Sequence, residues 1–213
     1  RVVFVYGCYS MPSNIIDLFI ANWSDLIWIS LLFILSIIFV LIDRPWFGKQ
    51  PFSLALPSDY KIPVIPWTIF IYNSWYPILI FTVALLAIFD NPVYHHFMLA
   101  YVIGCLACYI IFIFFQNEVP RSGELKGDGL AQSLLRLTRK VNRPYNGFPS
   151  IHIFACTMTI LAVQTSTLPL GSKLFIWVSQ LGIAISTLTT RQHVLLDVAG
   201  GIFMASLAWI LTL

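Results

Sequence analysis

Charge is what this chain has least of: aspartate, glutamate, lysine and arginine make up 10% of its 213 residues, against about one quarter in an ordinary soluble domain. With 59% apolar and aromatic residues and a mean hydropathy of +0.85, it has too few polar side chains to coat a water-facing surface. That shortage excludes a soluble enzyme, a disordered chain and a nucleic-acid-binding module. Cysteine is scarce as well. Cys8, Cys105, Cys108 and Cys156 make no disulfide framework, because three of the four lie inside apolar runs. Cys105 and Cys108 have C-x-x-C spacing, but no histidine accompanies them in their uncharged run, and they read as small packing residues rather than zinc ligands. Also missing are an internal repeat, a low-complexity tract, and a charged-then-apolar leader with a small-residue cleavage site. The first residue is Arg1 instead of methionine, so the expectation is a start that is trimmed, processed or incomplete.

What the chain does have is long apolar stretches. They are continuous rather than alternating, which selects helices over a β-barrel, and the length divides into about five to seven spans of roughly 20 residues. Leu26 to Ile42 is uncharged and stops at Asp43-Arg44-Pro45, so it forms the first span. The run from Ile62 to Phe89 is interrupted by Pro63, Pro66 and Pro77 and carries Trp67, Tyr72, Trp75 and Tyr76. Those aromatics suit a headgroup boundary, and the second span is expected over Ser74 to Phe89. After the Asp90-Asn91-Pro92 turn a third is expected over Phe97 to Phe115. Three more follow near Ser150 to Leu168, Leu174 to Thr190 and His193 to Leu213. The expected fold class is all-α, a polytopic bundle of about six membrane helices with its active site at one membrane face. Residues 1–213 form one transmembrane domain in this reading. Residues 1–24 are its interfacial or re-entrant segment, because Met11-Pro12-Ser13-Asn14 and Asp17 spoil Val2 to Ile20 as a span.

The few charges are clustered. Residues 117–150 hold nine of the 21 charged residues in 34 positions, and this polar loop between the third and fourth spans is where water-facing chemistry is to be sought. The net charge of +3 and pI near 8.7 come mostly from it and suit a membrane-adjacent basic face, not nucleic acid.

Around the loop stand residues foreign to a lipid-facing bundle: Arg121, Arg136, Arg143, the run Pro149-Ser150-Ile151-His152, and Thr190-Arg191-Gln192-His193 followed by Asp197. A spacing of four puts His193 and Asp197 on one helix face. There the carboxylate can take the proton of one imidazole nitrogen and leave the other free as base or nucleophile; a buried pair anchoring a helix end fits the spacing equally. Pro149 suits a first helical position and Ser150 a cap. The fourth span then opens with unpaired amides and a dipole end that attract an anion, and His152 projects from that turn. Guanidinium groups fit phosphate bidentately, although Arg136, Arg139 and Lys140 read better as headgroup contacts. Glu124 and Asp128 read as solvated.

Together these residues resemble the motifs of the type 2 phosphatidic acid phosphatase family of membrane phosphatases and phosphotransferases. Pro149-Ser150-Ile151-His152 is similar to that family's P-S-G-H, with Ile151 at the glycine. Ser186 to Asp197 is similar to its S-R-x5-H-x3-D, with Thr187 at the arginine and Arg191 placed to restore the lost contact. The K-x6-R-P motif has two candidates, Arg136 with Arg143-Pro144, and Val119-Pro120-Arg121. The wording around Phe148 and Gln192-His193 resembles the branch containing inositol phosphorylceramide synthases.

The resemblance implies an enzyme that cleaves a phosphate ester or anhydride of a lipid with no metal or other cofactor. It casts His193 as a nucleophile that forms a phosphohistidine, Asp197 as the holder of its tautomer, and His152 as acid and base. Arg121, Arg191, Ser150 and Arg143 would bind phosphate. The implied partners are a membrane lipid phosphate, the bilayer and, for transfer, an alcohol or lipid acceptor, with no nucleic acid. The implied setting is a bacterial inner membrane or a eukaryotic endomembrane. With six spans, ten basic residues on the loop face against two on the other would make that face cytoplasmic, whereas many relatives have exoplasmic or lumenal sites; both stand. Two other classes are weighed. A b-type haem carrier could use His95, His96, His152 or His193, but Asp197 and the arginines speak against it. A transporter or non-catalytic lipid-binding relative is favoured by Thr187. Trp67 to Tyr76 and Gly200-Gly201 are expected to shape a lateral opening for an acyl chain.

Overall fold

The computed structural model describes residues 23–44, 52–121, 125 and 127–213; the Val2 to Ile20 segment, Cys8 and Glu124 lie outside them. The helices in order are α1 (Trp23–Ile42), α2 (Ile69–Asn73), α3 (Trp75–Phe89), α4 (Asn91–Phe114), α5 (Leu130–Val141), α6 (Ile151–Thr165), α7 (Leu170–Thr189) and α8 (Leu195–Leu211). Short 3-10 turns occupy Asp59–Lys61 and Pro66–Thr68. Among the described residues only isolated bridges, Phe52 with Asn117 and Glu118 with Tyr145, interrupt the helical pattern. The protein is an all-α membrane bundle. Asp25–Ile42, Pro66–Phe89 and Asn91–Phe114 are long and apolar enough to cross a membrane, while α6 and α8 are apolar but shorter, at 15 and 17 residues.

Helix ends follow local chemistry. α4 starts at Asn91 rather than the expected Phe97, because Asp90 accepts the Val93 amide at 3.4 Å and Pro92 sits in the first turn. The other Asp90 oxygen accepts the Thr167 amide at 2.6 Å, which ties this turn to the end of α6. The polar loop holds an unanticipated helix, α5. Its charges lie on one side, and Leu135 is buried against Ile69 and Tyr72.

Between helices in lipid, association lives on close contact, since burial from water no longer drives it. α6 is the hub, touching α3, α4, α7 and α8. A Cβ on Gly201 would stand 2.7 Å from the Ser150 carbonyl oxygen and 2.8 Å from Ile153 Cβ, and one on Gly200 would strike the Phe148 ring. The glycine pair therefore seals α8 against α6 instead of shaping the expected lateral opening. α1 is different: it packs along α4 and leaves a gap towards α3. Its outer face, with Val40 73% exposed, is apolar.

Candidate active site

The polar ends of α6, α7 and α8 converge. α7 closes in a Schellman turn, with Gln192 N donating to the Thr187 carbonyl at 2.9 Å and Arg191 N to that of Leu188 at 3.0 Å. Arg191 occupies the left-handed position, φ 55°, where glycine is usual. The turn delivers His193 two residues before α8, so the spacing of four does not lie on one helix as expected. His193 meets Asp197 because Asp197, at the third position of α8, reaches back to cap it and accepts the Val194 amide at 3.0 Å. Asp59, distant in sequence, accepts the Leu195 amide at 2.8 Å and completes the cap that Val194, lacking an oxygen, cannot make.

Ser150 is the N-cap of α6, its hydroxyl accepting the Ile153 amide at 3.3 Å. Pro149 therefore precedes the cap and does not occupy the first helical position. The Ser150 amide donates to the Asp197 carbonyl at 3.0 Å, locking the starts of α6 and α8 together. His152 sits in the first turn of α6 with Nδ1 3.2 Å from His193 Nε2. His193 Nδ1 lies 3.4 Å from Asp197 Oδ2, off the line of a good hydrogen bond. Asp197 is wholly buried and the two histidines are 7% and 8% exposed. Asn117 steadies the carboxylate: its amide donates to Asp197 Oδ1 at 3.3 Å while its oxygen accepts Phe148 N at 2.7 Å. Tyr72 and Trp75 rings pack on His152 with centroids 4.7 and 4.9 Å away. A carboxylate, an imidazole and a second imidazole in series can hold one nitrogen unprotonated and pass a proton to or from a neighbouring oxygen.

Both histidines border a cleft of about 880 Å³ between α1, α3 and α4, which runs from Asp25 and Tyr94 to Asp43 and Arg143. Arg121 lies on its wall, held by the carbonyls of Arg139 at 2.9 Å, Asn142 at 2.6 Å and Arg143 at 3.1 Å and by Gln192 Oε1 at 2.7 Å. Burial lowers its pKa to about 10. Arg143 also lines the cleft. Arg191 instead donates to the carbonyls of Tyr60 and Ile62 and borders a small recess shared with His193. Arg136 is tied to Asp128 at 3.0 Å on the exposed side of α5, away from the histidines. Of the two K-x6-R-P candidates, then, Val119-Pro120-Arg121 stands at the cleft, while the other is split, with Arg143 on the cleft and Arg136 outside it. Thr187 is fully buried, its hydroxyl donating to the Ala184 carbonyl at 2.7 Å. His95 accepts from Trp28, and His96 pairs with Thr212, near the opposite end of α4. Cys105 and Cys108 are buried core residues.

The sequence profile of the PAP2 superfamily matches residues 39–211. The chain belongs to the PAP2 superfamily. No curated protein and no solved structure matches it. PAP2 membership supports a membrane enzyme of phosphatase or phosphotransferase type. Around the PAP2 motif residues stand several that sequence reasoning missed: Asn117, Asp59, Tyr72, Trp75, and Arg139, whose guanidinium donates to the Thr190 carbonyl at 3.0 Å. Arg139 lay in plain view as a basic residue, and Tyr72 and Trp75 as aromatics of the segment expected at an acyl-chain opening, where they do line the cleft; Asn117 and Asp59 carried no signal, since their partners are 80 and 136 residues away.

Proposed function

We propose that this chain is an integral-membrane lipid phosphatase or phosphotransferase working through a phosphohistidine. The observation that carries the reading is the buried series His152, His193 and Asp197 opening on an apolar cleft. Asp197 holds the proton on His193 Nδ1, leaving a lone pair on Nε2. The pair of rings opens to admit the phosphoryl group, Nε2 attacks phosphorus, and the bond from phosphorus to the leaving oxygen breaks with its electrons on that oxygen. His152, as imidazolium stabilised by the substrate's charge, gives its proton to the leaving oxygen. Neutral His152 then takes a proton from water or an alcohol, whose oxygen attacks phosphorus as the bond to Nε2 breaks. Arg121 and Arg143 on the cleft, Arg191 from the small recess that also borders His193, and the amides of Ile151 and His152 just after Ser150 answer the oxyanion charge. No metal enters this scheme.

The cleft extends along α1 from Asp25 to Asp43, about 27 Å at 1.5 Å per residue, close to the ~30 Å hydrocarbon core. That depth supports a lipid tail as its occupant, with α1, α3, α4, α6, α7 and α8 forming six crossings of one transmembrane domain. A second reading is headgroup transfer of the inositol phosphorylceramide synthase type. Two histidines under 10% exposed at the end of an apolar cleft favour an acceptor that arrives from the membrane. The test is phosphate release by the detergent-purified protein from phosphatidic acid, phosphatidylglycerol phosphate and polyprenyl diphosphate in EDTA, with His193→Ala as control. Release lost in the variant is the expected result. Release that survives in His193→Ala would sink the phosphohistidine, and no release until an alcohol acceptor is added would favour transfer.

A further inference from the structure

Buried N–H groups without an acceptor are rare in folded proteins, and besides His193 Nδ1, which faces Asp197, the residues lining the cleft hold Gln192 Nε2 and Arg121 Nε in that state. Gln192 is 4% exposed. Its amide orientation is set from the other side, since Oε1 accepts from Arg121 Nη2 at 2.7 Å and a flipped amide would set donor against donor. Nε2 is left with two N–H bonds and no partner, on the residue next in chain to His193. Gln192 is itself held by the Schellman turn through its own amide, so the free end is placed by rigid backbone. Thr187, in contrast, offers the site nothing: its hydroxyl is spent on Ala184, and its carbonyl accepts the amides of Gln192 and His193.

We propose that Gln192 Nε2, aligned by Arg121, is an oxyanion donor to the phosphoryl group at His193, supplying the charge stabilisation for which position 187 has no guanidinium. Arg121 orients the amide through Nη2 and offers its buried Nε to the same anion. Two neutral or partly shielded donors in a water-poor site are effective because they need no reorganisation as charge develops. The inference rests on the phosphotransfer reading. Its ligand is a phosphoryl oxyanion, whether carried on a lipid or free.

Gln192→Glu separates this role from a structural one. The variant keeps an acceptor for Arg121, and a charged one, but loses the donor. A residue that merely anchors Arg121 would tolerate the change. The expected result with a lipid phosphate is a fall in kcat/KM of about 10²–10³-fold, the usual loss for one oxyanion donor. Inhibition by orthovanadate should weaken in parallel, with Tm in detergent unchanged or higher. Full turnover with undiminished vanadate inhibition in Gln192→Glu overturns the proposal and leaves the phosphotransfer reading standing. A wild-type protein that neither releases phosphate nor binds vanadate overturns both. Should Gln192→Glu fail to fold, Gln192→Met is read by the vanadate-induced rise in Tm: loss of the rise supports the donor role, and a retained rise overturns it.

Discussion

Where residues 186–197 meet Asn117, Arg121 and Asp59, side chains and backbone groups from remote stretches bond one another, whereas α1 packs on α4 and faces α3 across an open cleft. The first region is a polar knot whose geometry is fixed many times over; the second is a wall of exchangeable apolar contacts. The phosphoryl chemistry proposed for the first would tolerate little misplacement of its groups, while the lipid tail proposed for the second would need only apolar surface of the right extent. The same chain has concentrated its few polar residues at the end where position matters.

The comparison can be broken most severely at the knot. His193→Ala should lower phosphate release by more than about a thousandfold, and His152→Ala by roughly 10²–10⁴-fold, with Tm near that of the wild type. A smaller but still large effect is expected at the first-motif alternatives. Arg121→Ala should cost at least about a hundredfold in kcat/KM, whereas Arg136→Ala should change activity little and stability by less than about 0.5 kcal/mol. Equal losses would contradict the placement of the two arginines. Gly201→Ala tests the seal between α6 and α8 and should destabilise by about 1–3 kcal/mol through overpacking, read as a lowered Tm in detergent. The finest test is at the turn. Arg191→Gly and Arg191→Ala remove the same guanidinium, but only glycine relieves the left-handed backbone, so the glycine variant should be the more stable by roughly 1 kcal/mol. A reversed order would show that backbone strain at φ 55° is not what Arg191 bears.

Much of this was legible because it was local. Continuous apolar runs located the helices, among them the three long and apolar enough to cross a membrane, and Pro149-Ser150 marked a helix start, while Asp90-Asn91-Pro92, read as a turn, proved to open its helix six residues before the expected Phe97. His152, His193 and Asp197 carried motif spacing and do come together. What escaped was whatever depends on chain segments crossing in space. The Asp59 cap on Leu195 and the Asn117 bridge from Phe148 to Asp197 span 136 and 80 positions, and no local pattern announces them. The Gly200-Gly201 pair was misread for the same reason, since close packing and an opening look alike until the facing helix is known. α5 was hidden by composition: its basic residues mark a loop, although Leu130, Leu134 and Leu135 already give it a helical face.

The contact of His152 Nδ1 with His193 Nε2, 3.2 Å apart, carries a stereochemical consequence. On the phosphohistidine route proposed above, one histidine serves both half-reactions, so the departing and arriving oxygens use the same side of phosphorus, opposite the nucleophile. Each in-line displacement inverts the centre, so two in succession restore it. A substrate made chiral at phosphorus should emerge with its configuration retained, while direct attack by water or alcohol would deliver the mirror arrangement.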